Sequence, residues 1–164
     1  MARTRRLTQA TETRCRSAAG LVRAAWGCIT KGDYRKAIIP MTLLEQYIAG
    51  WRAHDVAAIL AALTPNCVVI ESFGPIYRGH DWVARWVSIW LAEDGHVIDW
   101  TIHNLRSSSE GETAEWTFHY KWRGVEKSFD GSTIATLHDG KILYLREYAT
   151  TAVLYDWRGA WQPL

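Results

Sequence analysis

No apolar run in this chain approaches the ~18 residues that a membrane-crossing helix needs, and its opening residues lack the apolar core of a secretory signal. Cysteine is scarce: Cys15, Cys28 and Cys67 have no metal-ligand spacing and cannot all pair within one chain. A reducing compartment, and hence a cytoplasmic location, is the simpler expectation. The glycine-rich phosphate loops, the H-E-x-x-H zinc motif and the G-x-S-x-G nucleophile elbow are all missing. Dinucleotide, nucleoside triphosphate and zinc-hydrolase chemistry therefore have no support in the sequence. Six histidines, at 54, 80, 96, 103, 119 and 138, are scattered without ligand spacing. No metal and no cofactor is expected.

What the chain does have is tryptophan, ten of them in 164 residues, within an otherwise ordinary composition of 48% apolar and 22% charged residues. That length suits one domain plus a tail. Trp51, Trp86, Trp90, Trp100, Trp116 and Trp122 fall in periodic segments that would face an interior. They serve either as core filling or as the lining of an aromatic cavity, with Trp51 and Trp86 among the candidate substrate-binding residues.

Charge is unevenly distributed. Residues 1 to 40 carry nine Lys/Arg against two acids, and the remainder carries ten against fifteen, giving +7 and −5. The basic extension lacks aromatic interleaving, a zinc pattern or a recognition helix, so nucleic acid is not an expected partner. A disordered or partly helical arm is the plainer reading. Its first 26 residues loosely resemble an organelle transit segment, and Met41, where the compact pattern begins, is an alternative start. The expected organisation is a basic extension over 1–40, a folded domain over 41–155 and a tail over 156–164.

Leu44, Tyr47, Ile48 and Trp51 recur at helical spacing, His54-Asp55 interrupts, and Val56, Ile59, Leu60 and Leu63 resume it with Asp55 as N-cap. Cys67-Val68-Val69-Ile70-Glu71-Ser72-Phe73, bounded by Pro65-Asn66 and Gly74-Pro75, predicts a buried strand. A third helix follows, with Trp82, Val83, Trp86, Ile89 and Trp90 on its apolar face. From Val97 the period changes to two. Ile98, Trp100 and Ile102 share one face, Trp116, Phe118, Tyr120 and Trp122 alternate with polar residues, and Asp139-Gly140 signals a hairpin.

Glu71 is the residue that needs explaining, because a carboxylate in a short apolar strand is costly without a partner or a task. A general base in a hydrophobic pocket, with its pKa raised by desolvation, fits the position. So does a structural glutamate paired to Arg78 or Arg146. Tyr47 lies on the core-facing stripe of its helix, where a phenol needs a hydrogen-bond partner. Glu147, sharing a face with Leu143 and Leu145, brings a second acid toward the same interior. Asp130, in Phe129-Asp130-Gly131, is a turn or bulge candidate.

The order Tyr47-Ile48-Ala49-Gly50-Trp51-Arg52-Ala53-His54-Asp55-Val56, the apolar strand with Glu71, Tyr77-Arg78-Gly79 and Asp139-Gly140-Lys141-Ile142 resembles the SnoaL-like members of the nuclear transport factor two-like superfamily, which includes ketosteroid isomerases and polyketide cyclases. The resemblance spans about residues 42–150. It implies an α+β cone, about three helices packed on a strongly curved, mostly antiparallel sheet around a pocket, commonly dimeric through the sheet. Tyr47 falls where the isomerases place their oxyanion-hole tyrosine, and Glu71 where they place the proton-shuttling aspartate. Thr133 replaces the family's third, protonated acid, a departure from isomerase chemistry. Asp130, three residues earlier, would reach the pocket only through a bulge, and Glu147 supplies the second acid from another wall. Trp116, Phe118 and Tyr120 correspond to pocket-lining positions. The implied function is acid–base catalysis without a cofactor on a hydrophobic or ring-containing small molecule, of isomerase, cyclase, dehydratase or hydrolase type. A non-catalytic binding or dimerisation module of the same fold remains the alternative.

Overall fold

The computed structural model describes residues 40–161. The expected basic extension lies, up to residue 39, outside the described residues.

Thr42 opens α1 (Leu43–Arg52) with a capping box: its hydroxyl accepts the Glu45 amide, and the Glu45 carboxylate accepts the Thr42 amide. Leu44, Tyr47, Ile48 and Trp51 form the buried stripe at the spacing read from the sequence. Glu112, only 4% exposed, reaches from the sheet to accept the backbone N–H groups of Leu43 and Leu44 at 3.2 and 2.7 Å and the Ser107 hydroxyl at 3.0 Å. A buried carboxylate thus satisfies helix-end donors that would otherwise be orphaned. Asp55 caps α2 (Val56–Ala61), accepting the Ala58 amide at 3.0 Å. The two helices meet at Gly50, where a Cβ would lie 2.8 Å from the Ile59 nitrogen.

Strand β1 (Leu63–Ile70) pairs antiparallel with the short β2 (Ile76–Arg78), and α3 (His80–Ala92) follows. The long strands β3 (His96–Ser107), β4 (Gly111–Trp122), β5 (Val125–His138) and β6 (Lys141–Ala149) complete one curved, open six-stranded sheet, ordered β2-β1-β6-β5-β4-β3. Only the β1–β6 pairing is parallel. Asp139-Gly140 and Arg123-Gly124 have positive φ at both residues, as a two-residue turn matched to strand twist requires.

Strict alternation breaks at bulges. Val97 faces Tyr120 and Asp99 faces His119, so Ile98 is an extra residue, and it is exposed rather than sharing the face of Trp100 and Ile102. Leu143 is likewise extra between Ile142 and Tyr144, which leaves Ile142, Leu145 and Glu147 on the inward phase. One added residue reverses every later side chain and increases local twist. The concave face packs against the helices around Trp51, Trp100, Trp116, Ile59, Leu63 and Leu145. No described helix is long and apolar enough to cross a membrane. Residues 156–161 of the expected tail form no regular element, and Trp157 and Trp161 touch each other at 6.1 Å.

Candidate functional site

Glu71 lies one residue past the end of β1, not within it. Its side chain keeps the inward phase of Cys67 and Val69, while its backbone closes the β1–β2 turn by donating to the Pro75 carbonyl and accepting from Gly74, whose φ is +108°. Its carboxylate accepts the Tyr77 hydroxyl at 2.9 Å. Neither Arg78 nor Arg146 forms a salt bridge with it; the Arg146 guanidinium instead covers the Tyr148 ring at 4.7 Å. Burial raises the Glu71 pKa, and the Tyr77 hydrogen bond partly offsets that.

Two adjoining spaces share Glu71. The outer one is an apolar cleft of about 510 Å³. Trp82, Trp86, Ile89 and Trp90 of α3 form one side, Phe118, Tyr120 and Trp122 of β4 the other, and Phe73, Pro75 and Tyr77 a third. The inner one is a chamber of about 50 Å³ between Trp51, Trp86, Trp90, Trp100, Trp116, Phe118 and Phe129, with Glu71 and Glu147 both on its wall. It has room for water or one small polar group, not for a ring. Trp86 stacks on Tyr77 with centroids 4.2 Å apart and 8° between planes, so the tyrosine that holds Glu71 is itself held.

The chamber is short of hydrogen-bond partners. The indole N–H groups of Trp51 and Trp100 are buried without one, as is the hydroxyl of Tyr47, which lies behind the wall in edge contact with both indoles at 6.4 Å. The Trp51 N–H approaches that hydroxyl without reaching hydrogen-bonding geometry. Burial, with the negative field of Glu147 and Glu71, holds the Tyr47 pKa well above its usual value. Burial first, and then the charge of Glu71, pushes Glu147 up to about 8. Burial and the neighbouring charge thus favour the protonated form of Glu147, while the Tyr77 hydrogen bond favours the charged form of Glu71.

Of the residues read from the sequence, Glu71, Glu147, Trp51, Trp86, Trp116 and Phe118 meet at the chamber, Tyr120 lines the cleft, and Tyr47 stands behind both. Thr133 lines neither. Its hydroxyl accepts the Trp116 indole N–H at 2.8 Å, so it fixes a wall residue rather than facing the cavity.

Asp130 does not join the site. The β4–β5 ladder runs without a bulge from Gly111↔Thr136 to Trp122↔Val125, so Asp130 pairs with Thr117 and points to the opposite face. There it accepts the Thr117 hydroxyl at 2.6 Å, and the His103 ring nitrogen lies 2.7 Å from that same hydroxyl. Its neighbours Phe129 and Gly131 take the inward phase; a Cβ on Gly131 would lie 2.3 Å from the Trp116 ring.

Sequence reasoning missed Tyr77 as Glu71's partner, although the pairing of Val69 with Tyr77 across a tight turn is what brings them together. It also missed Arg85, Glu93, Phe73 and Phe129. Among the described residues, no group of three or more His, Cys, Asp and Glu is arranged to hold a metal.

A curved sheet packed against three helices around an aromatic cavity, with carboxyl groups on its wall, is the fold of the nuclear transport factor two-like superfamily. The chain belongs to the SnoaL-like domain family, whose model matches residues 44–145. Solved structures agree in fold. A hypothetical protein with a ketosteroid isomerase-like fold from Catenulispora acidiphila, in complex with trimethylamine, is 15% identical with a TM-score of 0.59, over 68% of this chain and 88% of that one. An LEH-like epoxide hydrolase from M. tuberculosis is 18% identical with a TM-score of 0.59, over 66% and 80%. A protein described as a polyketide cyclase candidate from Xanthomonas campestris is 18% identical with a TM-score of 0.55, over 65% and 86%. At these identities the likeness is one of fold. No curated protein matches the sequence.

Proposed function

We propose that this SnoaL-like domain is an acid–base catalyst acting on a hydrophobic, ring-containing small molecule, with Glu71 as the general base. The observation that carries this reading is the position of Glu71, the one carboxylate on the walls of both the cleft and the chamber, oriented by Tyr77 and without an arginine to neutralise it. Glu93, the other carboxylate of the cleft, is taken up by Arg123 at 2.7 Å. A ring in the cleft presents an acidic C–H or an electrophilic carbon to Glu71, which takes a proton from that carbon or from a water. Glu147, still protonated at neutral pH on the chamber wall, hydrogen-bonds the oxygen on which charge develops. An oriented donor of this kind can contribute roughly 3–4 kcal/mol to the barrier. Isomerisation, aldol-type cyclisation, dehydration and hydrolysis all fit this arrangement, and relatives of the fold described as epoxide hydrolase-like or cyclase lie within that range.

A panel of enones, lactones, epoxides and polyketide-like aromatics, scored for tryptophan quenching and turnover on wild type and Glu71→Gln, tests this. Binding by both proteins with conversion by wild type alone is expected. Conversion that survives in Glu71→Gln removes the base assignment.

The depth of Tyr47 favours the alternative of a binding module, because the family's oxyanion tyrosine is expected to touch the ligand and this one stands behind the wall. Binding throughout the panel without any conversion supports that reading. Homodimerisation through the sheet draws support from exposed Ile134 and Tyr148, which alternate with inward-facing neighbours on the face away from the helices. Sedimentation velocity on wild type and Ile134→Lys tests it, with a shift to monomer expected in the variant.

A further inference from the structure

The cleft-facing stripe of α3 and its C-cap reads Trp82, Arg85, Trp86, Ile89, Trp90, Glu93. These positions follow helical spacing, and all are apolar except two. Glu93, at the far end, is neutralised by Arg123, whose Nη2 lies 2.7 Å from its Oε2. Arg85 differs, since its guanidinium forms no salt bridge among the described residues and rests 5.7 Å from the centroid of the Trp82 ring. Arg85 is exposed, as are Trp82 and Ile89 beside it, and stands at the mouth of the apolar cleft with its five donors uncommitted among the described residues.

We propose that the cleft selects ring-bearing anions, namely planar aromatic or polycyclic molecules with a carboxylate or comparable acidic group, and that Arg85 is the residue that sets this preference. The proposal rests on the reading of the cleft as the ligand site. The ligand enters with its ring between α3 and β4, against Trp86, Phe118 and Tyr120, and its acidic group at the mouth. Trp82 holds the guanidinium along the wall, which lowers the entropy lost when Arg85 closes on a carboxylate in two-point fashion. The ring edge opposite the acid then faces Glu71. A cavity of about 510 Å³ accommodates two or three fused rings with such a substituent. Glu71 and Arg85 thus lie at opposite ends of one ligand, with the reacting carbon held away from the ligand's own charge.

The test is a binding measurement, independent of turnover. Quenching titrations with 2-naphthoate and its uncharged carboxamide are run at low and high salt on wild type, Arg85→Gln, Arg85→Lys and Glu71→Gln, with near-ultraviolet circular dichroism as the fold control. Wild type is expected to bind the carboxylate about tenfold more tightly than the amide at low salt, with the margin shrinking as salt screens an exposed guanidinium. Arg85→Gln is expected to erase the margin by weakening the carboxylate alone, Arg85→Lys to keep part of it, and Glu71→Gln, which removes a like charge from the same cleft, to keep or widen it. Equal affinities in wild type, or a margin that persists in Arg85→Gln, overturn the proposal. If neither probe binds wild type, the cleft is not a site for such ligands, and the proposal falls with it. A base role that fails in Glu71→Gln turnover leaves this result intact, so the two readings are tested separately.

Discussion

Tyr77 donates its hydroxyl to Glu71 at 2.9 Å while its ring lies flat on Trp86, so one residue both fixes and tunes the carboxylate shared by cleft and chamber. Because the hydrogen bond favours the charged carboxylate, removing it leaves the desolvation penalty unopposed. In Tyr77→Phe the stacking survives and the Glu71 pKa rises further. The acid limb of the pH–rate profile is then expected to move to higher pH, with a stability change of about 1 kcal/mol. A carboxyl carbon NMR titration of Glu71 reads the same shift directly, and identical curves for wild type and variant would show that Tyr77 does not tune the base.

Glu147 makes stability depend on pH with a definite sign. Its pKa is raised in the folded protein to about 8 from an ordinary value of 4.5, so between those values the folded state holds a proton that the unfolded chain releases. Stability is therefore greatest below about pH 4.5 for this group and falls as pH rises toward 8, with a slope of at most about 1.4 kcal/mol per pH unit for one proton. Glu147→Gln mimics the protonated acid and is expected to flatten the curve. Urea midpoints from pH 5 to 8.5 measure it, and parallel curves for the two proteins would mean that Glu147 titrates normally.

How far the sequence reveals this site depends on how far each side chain sits from the periodicity that places it. Tyr47, Trp51, Glu71, Trp116 and Phe118 follow uninterrupted helical or strand phase, and their inward direction was legible. Bulges were not: no residue type marks Ile98 or Leu143 as extra, and each shifts the phase beyond it. Asp130 illustrates the reverse error, a turn or bulge residue expected beside a glycine where the ladder is regular, because Gly131 serves to admit the Trp116 ring instead. Partnerships across the chain, such as Trp116 with Thr133, are set by cross-strand register, which a single sequence does not encode in any one residue.

Thr133 accepts the Trp116 indole N–H at 2.8 Å, both groups being buried. Thr133→Val keeps the volume and strands an indole N–H, at a cost of about 1–3 kcal/mol. Thr133→Ser retains the acceptor and is expected to cost less than half as much. In Thr133→Val the Trp116 wall is also loosened, so the quenching of tryptophan fluorescence by a bound ligand should change. If Val and Ser variants unfold at the same urea concentration, the hydrogen bond contributes nothing and the position matters only for its size.

Glu112 and Glu71 are both carboxylates with inward phase, yet the structure gives them opposite work. Glu112 spends its oxygens on the amides of Leu43 and Leu44 and the hydroxyl of Ser107, and lines neither cavity. Glu112→Ala unties the start of α1 from β4 and leaves helix-end donors without an acceptor, so a loss of about 3 kcal/mol is expected with ligand affinity in the cleft unchanged. Glu71→Gln, which removes a poorly solvated charge while keeping shape, is expected to leave stability equal or slightly higher while abolishing any conversion. Denaturant midpoints and ligand titrations on both variants give a crossed pattern, one variant losing stability and the other losing chemistry. If Glu71→Gln proves the more destabilised of the two, Glu71 is held for the fold, and its place on both cavities does not reflect a catalytic task.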